Sequence, residues 1–284
     1  MKNRLIFIFT FILIMCISMF NWNITYANLG GPEVHFLYTG QSDCILVKTG
    51  NKNYLIDTGQ AYYTKRILRY LNLNKVGRLN GIIITHYHDD HYGGLIKIAK
   101  SVEVSRIYLP NNKNDIKHVL SRSLSKLNIP VEYIDKGWSI NSPKLHLKAI
   151  APVIKNKKTS NSNSDENNNS IVLQGKIGGI SYLFAGDCEK REENDMIESG
   201  LLKECDILKV PHHGINTSTD STLLGMIKPK AAVITSNGRT PNASVIKRLL
   251  KNNVIVLRTD HQGDVIVRNR SIFCDRSNIK IKFR

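Results

Sequence analysis

What the sequence lacks narrows what it can be. Its five cysteines form no Cys-x-x-Cys pair, so a cysteine-built zinc site and a thioredoxin-like redox motif are both excluded. No segment of about 20–50 residues recurs along the chain, which removes solenoids and propellers. Acidic residues are scarce: 23 Asp and Glu stand against 40 Lys and Arg, a net charge of +17. Long apolar runs are also scarce, with one from Leu5 to Phe20, interrupted by Thr10 and Ser18. Hydrophobic residues overall are not scarce. At 42% of 284 residues they support a full core, so a disordered chain is excluded.

The single apolar run follows Lys2 and Arg4 and precedes Thr25-Tyr26-Ala27. A short positive region, an apolar stretch and small residues at −3 and −1 read as an export signal, residues 1–27, cleaved after Ala27. The alternative is an uncleaved anchor outside the cell, since the run is only slightly short of a membrane span. With the signal removed the net charge is +15, and no integral membrane partner is expected. A basic exported protein concentrates near polyanions, such as DNA or an anionic cell-wall polymer, although the Lys and Arg residues here are spread diffusely. Four cysteines remain (Cys44, Cys188, Cys205 and Cys274). Their even number permits disulfides, but Cys44 and Cys205 sit in apolar runs and read as core residues.

Periodicity predicts strands at 34–38, 44–48, 54–56, 81–85, 104–109, 131–134, 145–150, 171–174, 181–185, 205–210, 231–235, 254–258 and 264–268. It predicts helices near 62–72, 95–100, 189–199 and 242–252. Two β-rich halves, each closed by helices, imply an α/β protein with two sheets sandwiched between helices. Residues 155–170 are polar and of low complexity, and are expected to form a mobile loop.

The chemistry is concentrated in Thr85-His86-Tyr87-His88-Asp89-Asp90-His91-Tyr92-Gly93-Gly94, immediately after the apolar Ile82-Ile83-Ile84. Imidazole and carboxylate ligands crowded at a strand end suit zinc, manganese or iron(II). Gly93 and Gly94 let the backbone pack tightly where the next helix starts.

This segment is the HxHxDH motif, and the chain resembles the metallo-β-lactamase superfamily. Leu55-Ile56-Asp57-Thr58-Gly59, Phe184-Ala185-Gly186-Asp187 and Leu208-Lys209-Val210-Pro211-His212-His213-Gly214 resemble further segments of that family. The last of these, with Phe36-Leu37-Tyr38-Thr39-Gly40-Gln41-Ser42-Asp43-Cys44 and Arg258-Thr259-Asp260 with Gly263, is similar to the C-terminal hydrolase domain of the competence protein ComEC and its stand-alone relatives, which include phosphorylcholine-esterase-like enzymes. The resemblance implies a four-layer αββα metallo-β-lactamase sandwich over residues 28–284, holding two divalent ions, zinc or manganese. His86, His88 and Asp187 would hold one ion, helped by Asn169 or Ser170, because the family's usual third histidine has no counterpart. Asp90, His91, Asp187 and either His212 or His213 would hold the other. Asp90 and His213 are the candidate catalytic residues. Asp57, and less strongly Asp43 and Gln41, are expected to orient the ligands from behind. Thr240 stands where the branch often carries a histidine.

The implied reaction is hydrolysis of a phosphodiester or phosphoester, in nucleic acid or cell-wall phosphate, by water activated between the two ions. Cleavage of a lactam or lactone is the alternative within the enzyme class. A non-catalytic protein that binds DNA or wall polymer on the same scaffold is the alternative outside it.

Overall fold

The computed structural model describes residues 31–154, 162–277 and 280–282. The predicted signal peptide lies outside the described residues, and the compact unit begins at Pro32. Two large sheets face one another. The first runs Lys280–Lys282, Ser271–Cys274, Val265–Arg268, Glu33–Phe36, Ile45–Thr49, Lys52–Ile56, Gly81–Ile83, Ile107–Pro110, Val131–Ile134. The second runs Ile255–Arg258, Ala231–Ile234, Ile207–Lys209, Ile180–Phe184, Val172–Ile177, Leu145–Ala151, Ser139–Ser142. The C-terminal strands return to the first sheet, where Val265–Arg268 pairs antiparallel with Glu33–Phe36.

The period-2 alternation of each strand sorts its side chains into layers. Val34, Phe36, Ile45, Val47, Tyr54, Ile56 and Ile83 meet Leu147, Leu173, Tyr182, Phe184, Ile207 and Val233 between the sheets. The intervening residues Leu46, Leu55, Ile82 and Ile84 face outward onto the helices Thr64–Leu73, Leu95–Ser101 and Asp115–Ser125. Leu183, Leu208, Ala232 and Ile234 do the same beneath Lys190–Glu198, Ser221–Ile227 and Ala243–Lys251. The result is the four-layer αββα sandwich. Helices Asp115–Ser125 and Ser221–Ile227 were not predicted; the first buries only Leu120 and Leu124, and the second is just two turns long.

The polar stretch at 155–170 differs from its predicted mobility. Residues 155–161 lie outside the described residues, but Ser162–Asn167 is a helix and Glu166 to Ser170 are buried. Specific hydrogen bonds do what apolar packing would otherwise do. Glu166 accepts from the Tyr87 backbone N–H at 2.7 Å and from Asn112 and Asn114 at 3.0 and 2.8 Å. Asn168 Oδ1 accepts from the N–H groups of Glu189 and Glu192 at the start of the next helix. The insertion is thereby tied to the HxHxDH segment. All four described cysteines are buried and free.

Candidate metal centre

Within each sheet the strands that carry the site are parallel. Lys52–Ile56 pairs with Gly81–Ile83, and Ile180–Phe184, Ile207–Lys209 and Ala231–Ile234 pair in succession. Their C-terminal ends gather at one edge of the sandwich, the usual place for ligands in open parallel sheets. From these ends come Asp57, His86, Asp187, His213 and Thr235. The chain after Ile84 turns into a short helix, Asp89–Tyr92, that brings Asp90 and His91 back toward the edge. Gly93 and Gly94 permit this turn. A Cβ on Gly93 would lie 2.4 Å from Asp89 O and one on Gly94 2.4 Å from Thr58 O, distances no side chain tolerates.

Asp90, His91, Asp187 and His213 each offer one ligand atom, and these lie within 4.8 Å of one another. His91 Nε2 is 3.3 Å from Asp187 Oδ2, and His213 Nε2 is 3.3 Å from both Asp187 Oδ2 and Asp90 Oδ2. His91, Asp187 and His213 are almost fully buried. Yet His91 Nε2, Asp187 Oδ1 and His213 Nε2 have no hydrogen-bond partner. Buried polar atoms without partners are rare and costly. Converging imidazole nitrogens and carboxylate oxygens in that condition are the donor set of a divalent cation, so the residues fit one.

The charges respond to one another. Burial alone pushes the Asp187 carboxyl up, but His213 and His91 outweigh it and hold the group well below the usual carboxylate range. Burial lowers His213, while Asp187, Asp90 and Asp43 lift it to about 9. His91 is likewise raised against its burial by Asp187, Asp57 and Asp90. His86 moves the other way: burial first, then His91, push it well below the ordinary imidazole range.

His86 and His88 form a pair beside this cluster, with Nε2 of one 3.0 Å from Nδ1 of the other. Among the described residues, the groups of three or more donors within 4.8 Å do not include them. The structure thus brings the predicted His86–His88–Asp187 set together less tightly than the second set. The proposed helpers are turned elsewhere: Ser170 Oγ accepts from the Asp187 backbone N–H at 3.2 Å, and Asn169 donates to Asp165 O at 2.7 Å. Of the paired histidines, His213 enters the cluster. His212 faces Thr217 and Glu189 through Nδ1, at 3.0 and 3.3 Å. The two rings diverge because both residues adopt left-handed backbone, φ 48° and 51°. Such backbone costs a non-glycine residue about 1–2 kcal/mol, and outliers of this kind gather at functional sites.

A further group, Asp43, Asp57 and His91, also lies within 4.8 Å, but its oxygens are engaged. Asp57 accepts from His91 Nδ1 at 2.8 Å and from Thr85 N and Oγ1 at 2.7 Å each. It holds the ring with Nε2 toward the cluster. Asp43 accepts from Thr235 Oγ1 at 2.6 Å and pairs with Lys209 Nζ at 2.7 Å. Gln41 does not sit behind a ligand as predicted. It is among the residues that line the cavity. Thr85, Thr235, Lys209, Glu189 and Glu166 were missed. Lys209 alone carried a signal, a cation within an otherwise apolar strand.

Asp90, Asp187 and His213 line a cavity of about 560 Å³, with Gln60, Asn163, Ser164, Asn167, Glu189, Thr217 and Asn237 around them. Among the described residues, no lysine or arginine lines it. Among the described residues, no helix is long and apolar enough to cross a membrane.

The αββα sandwich and the donor cluster on its strand-end edge define a metallo-β-lactamase-fold protein. Residues 37–137 match the metallo-beta-lactamase superfamily model, and the fold is shared with YhfI of Bacillus subtilis, a metallo-beta-lactamase fold protein (TM-score 0.55, 14% identity, 84% of this chain and 100% of that one). Over most of its length the chain is similar to ComEC-like proteins. It is 26% identical to ComE operon protein 3 of Bacillus subtilis over 91% of this chain and 36% of that protein. It is 28% identical to Recombination protein 2 of Haemophilus influenzae over 95% of this chain and 32% of that one. The chain thus spans about a third of the length of these relatives.

Proposed function

We propose that this chain is an exported hydrolase of phosphodiester or phosphoester bonds that uses two divalent ions, zinc or manganese. The observation that carries the reading is the set of unpartnered buried donors on His91, Asp187 and His213, of which Asp187 and His213 line the cavity. Asp90, His91, Asp187 and His213 would hold one ion, and His86, His88 and Asp187 the other. Ions bound there would lower the pKa of water from about 16 to about 7 and polarise a phosphoryl oxygen, making its phosphorus open to attack.

The chain's own side chains do the rest. Asp90 is the most exposed member of the cluster, at 19%, and faces the cavity, placed to take the proton of the attacking water. His212 lines the same cavity. Its Nδ1 is held by Glu189 and Thr217, and Asn167 approaches its Nε2 at 3.4 Å. That imidazole is the wall group suited to protonate a leaving oxygen. The Glu189 carboxyl, which burial would raise, is instead lowered by hydrogen bonds from His212, Ser164 and Asn167, and so stays a charged acceptor for the ring.

Substrate class follows from charge and from the relatives' names, which speak of competence and recombination. Both point to nucleic acid, with wall phosphate as the other polyanion. With the signal removed, a net charge of +15 draws either one in over long range. Among the described residues that line the cavity, Gln41, Gln60 and Asn237 offer hydrogen bonds to a phosphate. Export rests on the segment from Lys2 to Ala27. A mature N-terminus at Asn28 in the culture medium supports it, and an intact N-terminus on cell-bound protein indicates the anchor.

The decisive experiment measures metal content and turnover on one preparation loaded with zinc or manganese. The substrates are bis-p-nitrophenyl phosphate, single- and double-stranded DNA and a chromogenic β-lactam. Hydrolysis of the phosphodiesters that chelator abolishes is expected. Turnover of the β-lactam alone overturns the phosphoester assignment. DNA retention that survives chelator, with no turnover, makes the protein a binding module.

A further inference from the structure

Lys209 is a full-length cation with no exposure to solvent. Its alternation with Ile207 points it between the two sheets rather than toward the helices. Nζ meets Asp43 Oδ2 at 2.7 Å and donates to Val210 O at 2.8 Å. A buried ion pair is a poor source of stability, since apolar residues of equal volume often serve as well. What it does supply here is direction. Asp43 comes from the first sheet's side and Lys209 from the second. The other Asp43 oxygen, Oδ1, lies 2.6 Å from Thr235 Oγ1, and a carboxylate has no proton to give, so the hydroxyl donates. Its single proton used, Oγ1 can only accept from His213 Nδ1, 3.0 Å away. Thr235 O, at 3.1 Å from the same nitrogen, also can only accept. At Nε2 the Asp90 and Asp187 oxygens lie farther off, at 3.3 Å, and make no hydrogen bond with it, so the closer acceptors at Nδ1 place the proton of a neutral His213 ring there and leave the Nε2 lone pair facing the two carboxylates.

We propose that Lys209, acting through Asp43 and Thr235, sets which ring nitrogen of His213 faces the cluster, and is thus a positioning residue of the centre. The inference rests on the reading of Asp90, His91, Asp187 and His213 as metal ligands. His91 gains the same orientation from Asp57 in one step, whereas His213 gains it through a relay that crosses the sandwich.

The test uses ¹⁵N shifts of the His213 ring in the metal-free mature protein, followed upward in pH until the shifts themselves report a neutral ring. The wild type is expected to carry the proton on Nδ1, and an Nε2–H ring overturns the proposal at once. In Lys209→Met the preference is expected to weaken, since Thr235 O still accepts from Nδ1, and zinc affinity, read by calorimetric titration, to fall about tenfold or less. The His91 ring should stay unchanged. A Lys209→Met protein that only melts earlier, with ring and zinc affinity unaltered, makes Lys209 structural and sinks the idea. Should that variant fail to fold, Asp43→Asn decides. With its carbonyl turned to Lys209 and its amide to Thr235, the Thr235 hydroxyl is free to donate to Nδ1 and the share of Nε2–H rings rises; an unchanged share refutes the relay. A wild type that binds no zinc defeats the metal reading, while the ring measurement still judges the relay.

Discussion

The two buried imidazoles of the centre come from opposite sheets and are held differently. His91 leans on Asp57, whose carboxylate also accepts from both donors of Thr85, all within two neighbouring parallel strands and the turn after them. His213 leans on Thr235, which leans on Asp43, which leans on Lys209. The first support is local to one sheet. The second closes only when the two sheets have met. The difference teaches that one edge of the site is built with its own half of the fold, and the other depends on the assembled sandwich.

Variants can break or sharpen this contrast. The largest effect is expected from Asp187→Ala, which removes the carboxylate facing both imidazoles. Loss of bound metal by elemental analysis and of turnover to the chelated background should follow, and retained metal would refute the assignment. Next is Asp57→Asn, which replaces the acceptor of His91 with an amide able to donate. Zinc affinity should fall about 10- to 100-fold in a calorimetric titration. Thr235→Val should cost less, about tenfold or under, because Thr235 O still accepts from His213 Nδ1. Equal losses in the two variants would erase the distinction between direct and relayed support. Glu166→Ala tests the polar insertion instead. It deletes three hydrogen bonds to a buried carboxylate, for an expected cost of about 2–3 kcal/mol, read from denaturant midpoints. Amide exchange should quicken over 162–170.

The smallest effect concerns pH, far from the centre. A hydrogen bond from His35 opposes the burial of Glu33 and, with Arg268 and Lys48, lowers its carboxyl to about 2. A carboxyl lowered on folding contributes stability above its unfolded value of 4.5 and loses it as pH falls toward 2. Glu33→Gln should therefore flatten that part of the acid-unfolding curve and change little near neutrality. An unchanged acid limb would show that Glu33 is not linked to folding.

Much of the fold was legible because period and punctuation are local. Ile82-Ile83-Ile84 before the histidines, and the apolar runs before Asp187 and His212, marked strands that end at chemistry. The helix Asp115–Ser125 was not legible, since its inward face is little more than Leu120 and Leu124. Residues 162–170 misled for another reason. Their burial depends on partners such as Tyr87, Asn112 and Asn114, which lie 50 or more residues away. The donors Asp90, His91, Asp187 and His213 were named from motifs, but Gln41 was placed behind the site when it lines the cavity.

The sequence by itself determined the residue types of the centre and the strands that deliver them, because ligand chemistry and two-residue alternation are written residue by residue. Only the tertiary structure decided which of His212 and His213 turns inward, and that Lys209 reaches Asp43. Both depend on backbone signs and on contacts across the two sheets, and no local pattern encodes a distance between strands that are far apart in the chain.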